Sequence, residues 1–158
     1  MRKRFFCCVL GLLLLTACGS STGTDGQDPI QLGKAMTAAA EDLPLMSTVT
    51  HQSEDGGQLF RYLSDLDYSK VDGYYFSYAA GGTAEEIAVI RLKDAGDAAT
   101  AVESLERHRE DRIGIFRFYA PEQVPMAEDG EIRAQGNVAV LAICANAASV
   151  AQLLTAAP

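Results

Sequence analysis

Apolar and polar positions follow two different rhythms along the chain, and each rhythm predicts its own kind of element. A period near 3.6, typical of helices with one buried face, predicts helices over about 30–42, 58–65, 96–117 and 145–156. A period of two, or a short run that is apolar throughout, predicts strands over 74–80, 86–93, 131–135 and 138–144. The segment between the first two helices, rich in Ser, Thr, His and Gln, is predicted to be a loop.

Turn signals join the predicted strands into two hairpins. Gly81-Gly82 separates the first pair, and Gly136-Asn137 separates the second, where Gly at the first turn position suits a type II′ turn. The resulting order, ααββαββα, predicts a two-layer α+β domain over 30–158, an antiparallel sheet of two hairpins with helices packed on it. Because 138–144 is apolar on both faces, we expect this strand to be covered on both sides.

The first 17 residues differ from the rest. Arg2, Lys3 and Arg4 precede an apolar stretch over 5–15, which is too short to cross roughly 30 Å of hydrocarbon. The stretch ends in Leu15-Thr16-Ala17-Cys18, an order that resembles the bacterial lipobox. We therefore predict a lipoprotein signal peptide over 1–17 and a mature chain that begins at acylated Cys18. A short membrane anchor, or an ordinary signal with a chance Cys, is the alternative.

Residues 18–29 are predicted to form a flexible tether behind the acylated Cys18. They are rich in Gly, Ser and Thr, and a chain of this composition and length has an r.m.s. span of roughly 17–20 Å. Two or three acyl chains such as palmitate hold a protein on a bilayer almost irreversibly. The predicted location is thus the outer face of the bacterial plasma membrane, with the membrane bound through the lipid on Cys18.

The net charge limits the classes of partner that the protein is expected to bind. The whole chain carries a formal net charge of −8, and from Cys18 onward ten Lys and Arg stand against 21 Asp and Glu, a net charge of −11. We expect no nucleic-acid binding, because no basic stripe exists to replace the counterions of a phosphate backbone. Cys144 is the single Cys after Cys18, and we predict a buried, inert thiol.

Motifs for cofactor or metal chemistry are missing from the sequence. It contains no glycine-rich phosphate loop, no GxSxG elbow and no His or Cys pair at metal-ligand spacing, so no cofactor and no metal are predicted. Asp65 begins an acidic segment, 65–72, that fails as a calcium loop because Lys70 stands where a Gly must turn. His108 is expected to be a partly covered helix residue, with a catalytic base as the alternative.

Aromatic residues supply the best candidate for a binding surface. Tyr74, Phe76 and Tyr78 fall on one face of the first predicted strand. Such a stripe is either part of the core or a stacking platform for a sugar or a peptide. Both interpretations remain open on the sequence alone.

Several short motifs resemble the Firmicutes lipoproteins grouped as domain-of-unknown-function family 4358. The resemblance covers about 30–154 and is carried by Asp42-Leu43-Pro44-x-Met46, Glu86-Ile87-Ala88-Val89-Ile90, Arg107 onward to Phe116-x-x-Tyr119-x-Pro121-Glu122-Gln123, and Gly136-Asn137-x-x-x-Leu141. The chain departs from the usual members at Val138, where an aromatic is common, and in its Ala-rich helices. The resemblance implies a lipid-anchored extracytoplasmic domain of a Gram-positive bacterium and brings no catalytic residues.

The sequence thus favours a noncatalytic envelope lipoprotein that binds a protein, a peptide or a cell-wall component. The alternative is a small envelope hydrolase with a site near the long helix over 96–117, assembled from His108, Arg109, Glu110 or the acids of 65–72. A solute-binding protein is less favoured, because two lobes that enclose a ligand need a longer chain. Oligomeric state is not predicted.

Overall fold

A computed structural model describes residues 27–156 of the protein. The predicted signal peptide over 1–17, Cys18 and most of the predicted tether lie outside the described residues. The strands are β1 (Met46–Thr50), β2 (Val71–Ala79), β3 (Glu86–Leu92), β4 (Glu131–Gln135) and β5 (Val138–Ile143). The helices are α1 (Pro29–Ala39), α2 (Gly56–Leu59), α3 (Ala98–Tyr119), α4 (Val124–Glu128), α5 (Ala147–Ala151) and α6 (Leu153–Ala156), with short 3₁₀ turns at Phe60–Tyr62, Tyr68–Lys70, Ala95–Asp97 and Pro121–Gln123.

The strands form one antiparallel sheet in the order β1-β2-β3-β5-β4. The predicted α+β class and both predicted hairpins, β2 with β3 and β4 with β5, are confirmed. The two hairpins join edge to edge through β3 and β5, in a register that pairs Glu86 with Ile143 and Arg91 with Val138. Each central strand is therefore hydrogen-bonded on both sides.

The loop predicted between the first two helices contains an unpredicted strand, β1, so the predicted order ααββαββα is incomplete. Its sequence, Met-Ser-Thr-Val-Thr, lacks a clear apolar alternation because an edge strand buries little of either face. It pairs with β2 from Met46 opposite Ala79 to Thr50 opposite Tyr75. Thr48 Oγ1 also donates a hydrogen bond of 3.0 Å to Ser77 Oγ on β2.

Helices cover both faces of the sheet, which gives three layers where two were predicted. On one face, α3 packs with the 59–66 segment over side chains that include Phe76, Ala88, Ile90 and Leu141. On the other face, α1, α5 and α6 pack over Tyr75, Val89 and Val140. The cause is visible in β3 and β5, whose apolar residues occupy both faces of each strand. The expectation that the last strand is covered on both sides is confirmed.

Helix α1 begins at the edge of the sheet face that it covers. Asp28 Oδ1 accepts a hydrogen bond of 2.9 Å from Ile30 N, and Pro29 occupies the first turn. Pro29 lies against Gly73, where an added Cβ would be 3.1 Å from the proline ring. The described chain thus enters the fold beside the first residues of β2.

The longest helix, α3, is tied to the sheet through its second half. Arg109 Nη1 donates to Gly130 O at 2.6 Å, and Arg112 Nη2 donates to Thr83 O at 3.1 Å. Beyond the helix, Gln123 Oε1 accepts from Ala84 N at 3.0 Å. The bonds to Thr83 and Ala84 fix this part of the chain against the turn that joins β2 to β3, and the bond to Gly130 fixes α3 at the start of β4.

The last predicted helix, 145–156, is two short helices, α5 and α6, separated at Gln152. Before them, Asn146 Oδ1 accepts a hydrogen bond from Glu41 N, and Asn146 Nδ2 donates one to Ala39 O, both at 3.0 Å. This side chain therefore holds the end of α1.

The Cys144 thiol is buried as predicted, and burial raises its pKa. Between residues 27 and 156, no helix has the length and apolar content needed to cross a membrane.

Candidate functional site

A buried carboxylate meets two basic side chains where β3 begins. Glu86 is the first residue of β3, and His108 and Arg112 lie one turn apart on the same side of α3. His108 Nε2 is 2.6 Å from Glu86 Oε2, and Arg112 Nε is 2.8 Å from Glu86 Oε1. The Glu86 side chain is only 3% exposed and that of His108 is 11% exposed. We call these three residues the Glu86 cluster.

Elementary chemistry assigns the hydrogens of the Glu86 cluster. An ionised carboxylate only accepts hydrogen bonds, so His108 Nε2 donates to it, and Nδ1 of a neutral imidazole is then an acceptor. Arg112 compensates the buried charge of Glu86, which would otherwise be costly. The guanidinium also lies 4.5 Å from the centre of the Phe116 ring, a cation–π contact. The cluster is thus held on several sides.

A cavity of about 430 Å³ opens over the Glu86 cluster. It lies between the β2–β3 turn, the segment that contains α2, and α3. Its walls are mainly apolar and aromatic, with contributions from Val49, Leu59, Tyr62, Phe76, Tyr78 and Ala80. Ligand sites typically combine such walls with a few convergent polar groups, which the Glu86 cluster supplies here.

The three aromatic residues singled out in the sequence have different surroundings. Tyr74 has no exposed surface, and its hydroxyl donates a hydrogen bond of 2.6 Å to Gly56 O. Burial raises the pKa of Tyr74 to about 12. This residue is part of the core, and the stacking-platform interpretation must be corrected for it. Phe76 is 4% exposed and Tyr78 is partly exposed, and both line the cavity.

The residues of the hydrolase alternative do not converge as a set, although His108 and Asp65 line the same depression along α3. His108 belongs to the Glu86 cluster, whereas Arg109 is hydrogen-bonded to Gly130 O and Glu110 is exposed.

In the acidic segment 65–72, each of three carboxylates has a different partner. Asp65 pairs with Arg107 Nη2 at 2.9 Å, Asp67 accepts from Ser69 N, and Asp72 pairs with Arg91. Within residues 27–156, no group of three or more His, Cys, Asp or Glu is arranged to hold a metal ion.

Sequence reasoning missed Glu86 and Arg112 as members of a site. Glu86 did carry a signal, since it opens a strand in which Ile87 to Ile90 are apolar on both faces. An acid at the border of such a strand is buried when the strand is central, and it then needs a cationic partner. The partner lies 26 residues further along the chain, and no local pattern reveals that contact.

Comparison with known proteins identifies the family. The family model described as "Domain of unknown function (DUF4358)" matches residues 46–144, from β1 to just past β5, and this range includes the whole Glu86 cluster. No curated protein and no solved structure matches the chain. Since the matched range covers more than half of the 158 residues, the chain belongs to the DUF4358 family.

Proposed function

We propose that the protein is a lipid-anchored lipoprotein at the outer face of the bacterial plasma membrane, and that its folded part is a noncatalytic binding module. The cavity over the Glu86 cluster is the ligand site in this proposal. The single observation that carries it is the combination of aromatic and aliphatic walls with two basic side chains, His108 and Arg112, at one place.

Two features favour binding over catalysis. The residues that line the cavity include no Ser, Thr or Cys that could serve as a nucleophile. Both oxygens of Glu86 already face basic partners, so this carboxylate is occupied in holding His108 and Arg112. A partly apolar cavity with polar groups held in place by ion pairs is suited to recognition.

Anchoring and binding are tested separately. For the anchor, the full chain is expressed in a bacterium fed an alkyne-tagged fatty acid. We expect label on the wild-type chain and on Cys144→Ser, and none on Cys18→Ser. Label on the Cys18→Ser chain, or an unlabelled wild type, would refute the anchor.

For the cavity, nuclear magnetic resonance titrations with 3-phenylpropionamide and with N-acetylglucosamine report which backbone amides shift. We expect at least one probe to shift residues of the cavity wall. Ala80→Trp, at the cavity wall, should abolish these shifts, whereas Ala38→Trp, on an exposed position of α1, should keep them. Shifts scattered over the surface, or none, would refute a binding cavity.

One observation favours a second function, a small hydrolase. The pair of Glu86 and His108 has the arrangement in which a carboxylate orients an imidazole that acts as a general base toward water. Turnover of ester or amide substrates that is lost in both His108→Ala and Glu86→Gln, with folding retained, would establish this second function. Activity that survives in His108→Ala would rule it out.

A further inference from the structure

A second depression adjoins the cavity. It measures about 410 Å³ and runs along α3, with Asp65, Arg107 and Ile115 among its lining residues. The two depressions share Tyr62, His108 and Arg112. These shared residues form the boundary between the two depressions, and we call this boundary the Tyr62 ridge because Tyr62 is 74% exposed. We call the second depression the α3 groove.

Three arginines line the α3 groove, and some of their N–H groups form no hydrogen bond within the described residues. Asp65 occupies Nε and Nη2 of Arg107, and Nη1 has no partner among the described residues. Arg112 Nε lies 2.8 Å from Glu86 Oε1 in an ion pair without hydrogen-bond geometry, and its Nη2 donates to Thr83 O. Its Nη1 forms no hydrogen bond within residues 27–156. Arg61 also lines the groove and forms no ion pair within residues 27–156. Each arginine carries five N–H donors, so several remain for a ligand.

This concentration of donors contrasts with the rest of the protein. The chain carries 21 acidic residues against 13 Lys and Arg, so most of its surface repels an anion. In the groove, three arginines stand beside the acids Asp65 and Asp111, and Glu86 lies on the cavity side of the ridge. A carboxylate that approaches here finds guanidinium donors of the geometry that binds carboxylates in pairs.

We propose that the ligand is an extended peptide segment that crosses the Tyr62 ridge. An apolar side chain of the peptide enters the cavity, and a carboxylate further along the peptide binds the arginines of the α3 groove. The proposal rests on the cavity as ligand site. It favours a peptide over an uncharged sugar, because a sugar leaves the guanidinium donors without an anionic partner.

The test uses the full chain and synthetic peptides that are acetylated and amidated at their ends. Each contains Phe and Asp separated by zero to three Ala, with matched series that carry Asn for Asp or Ala for Phe. Dissociation constants come from nuclear magnetic resonance titration, and 3-phenylpropionamide and N,N′,N″-triacetylchitotriose serve as additional probes. We expect one spacing of the Phe/Asp series to bind about tenfold more tightly than its Asn counterpart.

Variants locate the two contacts. Arg61→Glu should remove the preference for Asp, whereas Lys34→Glu, the same charge reversal on exposed α1, should keep it. Arg61 lines the groove but not the cavity, so Arg61→Glu should leave the binding of 3-phenylpropionamide unchanged. Tyr62→Ala should weaken the binding of both the peptide and 3-phenylpropionamide, because Tyr62 lines both depressions. Tyr119→Ala, an 86% exposed aromatic that lines neither depression, is its control.

The outcomes separate the two proposals. If 3-phenylpropionamide binds in the cavity but no Phe/Asp peptide binds more tightly than its Asn counterpart, the peptide proposal is overturned and the binding cavity stands. Tighter binding of triacetylchitotriose across Tyr62 also overturns the peptide proposal in favour of a sugar. If no probe binds, both proposals fail.

Discussion

Glu86 on β3 and His108 on α3 are joined by a hydrogen bond of 2.6 Å that crosses from the sheet to the helix layer. The two residues are 22 positions apart in the chain, and both side chains are almost covered. Arg112 completes the contact from the next helical turn. The same three side chains thus hold α3 on the sheet and supply the polar groups of the cavity.

Replacing Glu86 should therefore destabilise the fold. Glu86→Ala leaves the Arg112 charge without its partner, and breaking a buried pair in this way costs about 3–5 kcal/mol. The free energy of unfolding from urea titration measures the effect. Glu110→Ala, an exposed acid on the same helix, should change stability by no more than about 0.5 kcal/mol. Equal effects of the two substitutions would contradict the structural role of Glu86.

Asp65 should make a small, pH-dependent contribution to stability. Hydrogen bonds from Arg107 and Ser104 hold its pKa below the usual value of 3.8. A lowered folded-state pKa means that the stabilisation is present above the unfolded pKa and is lost as the pH falls through the folded pKa. Because the side chain is largely exposed, the effect is small. At pH 7 we expect the free energy of unfolding of the wild type to exceed that of Asp65→Asn by less than about 1 kcal/mol.

Urea unfolding at a series of pH values from neutral to strongly acidic checks this expectation. The difference between the wild type and Asp65→Asn should shrink steadily below the unfolded pKa. Glu110→Gln, which removes an exposed carboxylate from α3, is the control variant. A difference that grows as the pH falls would have the wrong sign and would contradict the assignment.

Two glycines in helices should respond to alanine in opposite directions. At Gly33 in α1, an added Cβ would lie 2.2 Å from the Tyr75 ring, so Gly33→Ala must displace buried groups at a cost of about 1–3 kcal/mol. At Gly114 in α3, no heavy atom outside the helix lies within 4 Å of the added Cβ. Gly114→Ala should stabilise the fold by up to about 1 kcal/mol. Thermal unfolding of both variants measures these effects. Stabilisation by Gly33→Ala would contradict the close approach of α1 to the sheet, and destabilisation by Gly114→Ala would contradict the open space beside α3.

Cys144 should resist alkylation in the folded protein. Burial both covers the thiol and raises its pKa, so little thiolate is available to react. Mass spectrometry of the peptide that contains residue 144, after timed treatment with iodoacetamide at pH 8, measures the rate. Modification should be slow in buffer and fast in concentrated urea. Equally fast reaction in both conditions would show that the strand end opens readily.

Local patterns were sufficient for most elements, and long-range contacts explain the failures. Four strands were predicted from an apolar alternation or a short apolar run between turn residues, namely β2, β3, β4 and β5. These signals are local, since side-chain period and turn chemistry act over a few positions. β1 was missed because an edge strand needs no apolar face, and its pairing with β2 is a tertiary contact. The helices of the second layer were predicted as elements, and so was the covering of 138–144 on both sides. The third layer itself was missed, because the sheet face on which a helix packs is a tertiary relationship that local patterns do not specify.

The candidate site was predictable only in part. Phe76, Tyr78 and His108 were singled out by type and position, and all three line the cavity. Tyr74 shares a strand face with Phe76 and Tyr78, but the Phe60 ring packs against it, and period-two reasoning does not show what packs over a strand face. The pairing of Glu86 with Arg112 depends on how α3 crosses the sheet, which no spacing in the sequence specifies.

The position of Pro29 beside Gly73 has a consequence for how the domain is presented. Pro29 lies at the start of β2 on the face covered by α1, whereas the cavity lies at the other end of β2 on the face covered by α3. In the lipoprotein that we propose, the chain that leads toward Cys18 therefore leaves the domain at the side of the sheet opposite the cavity. We expect attachment at that side to leave the cavity mouth open to ligands.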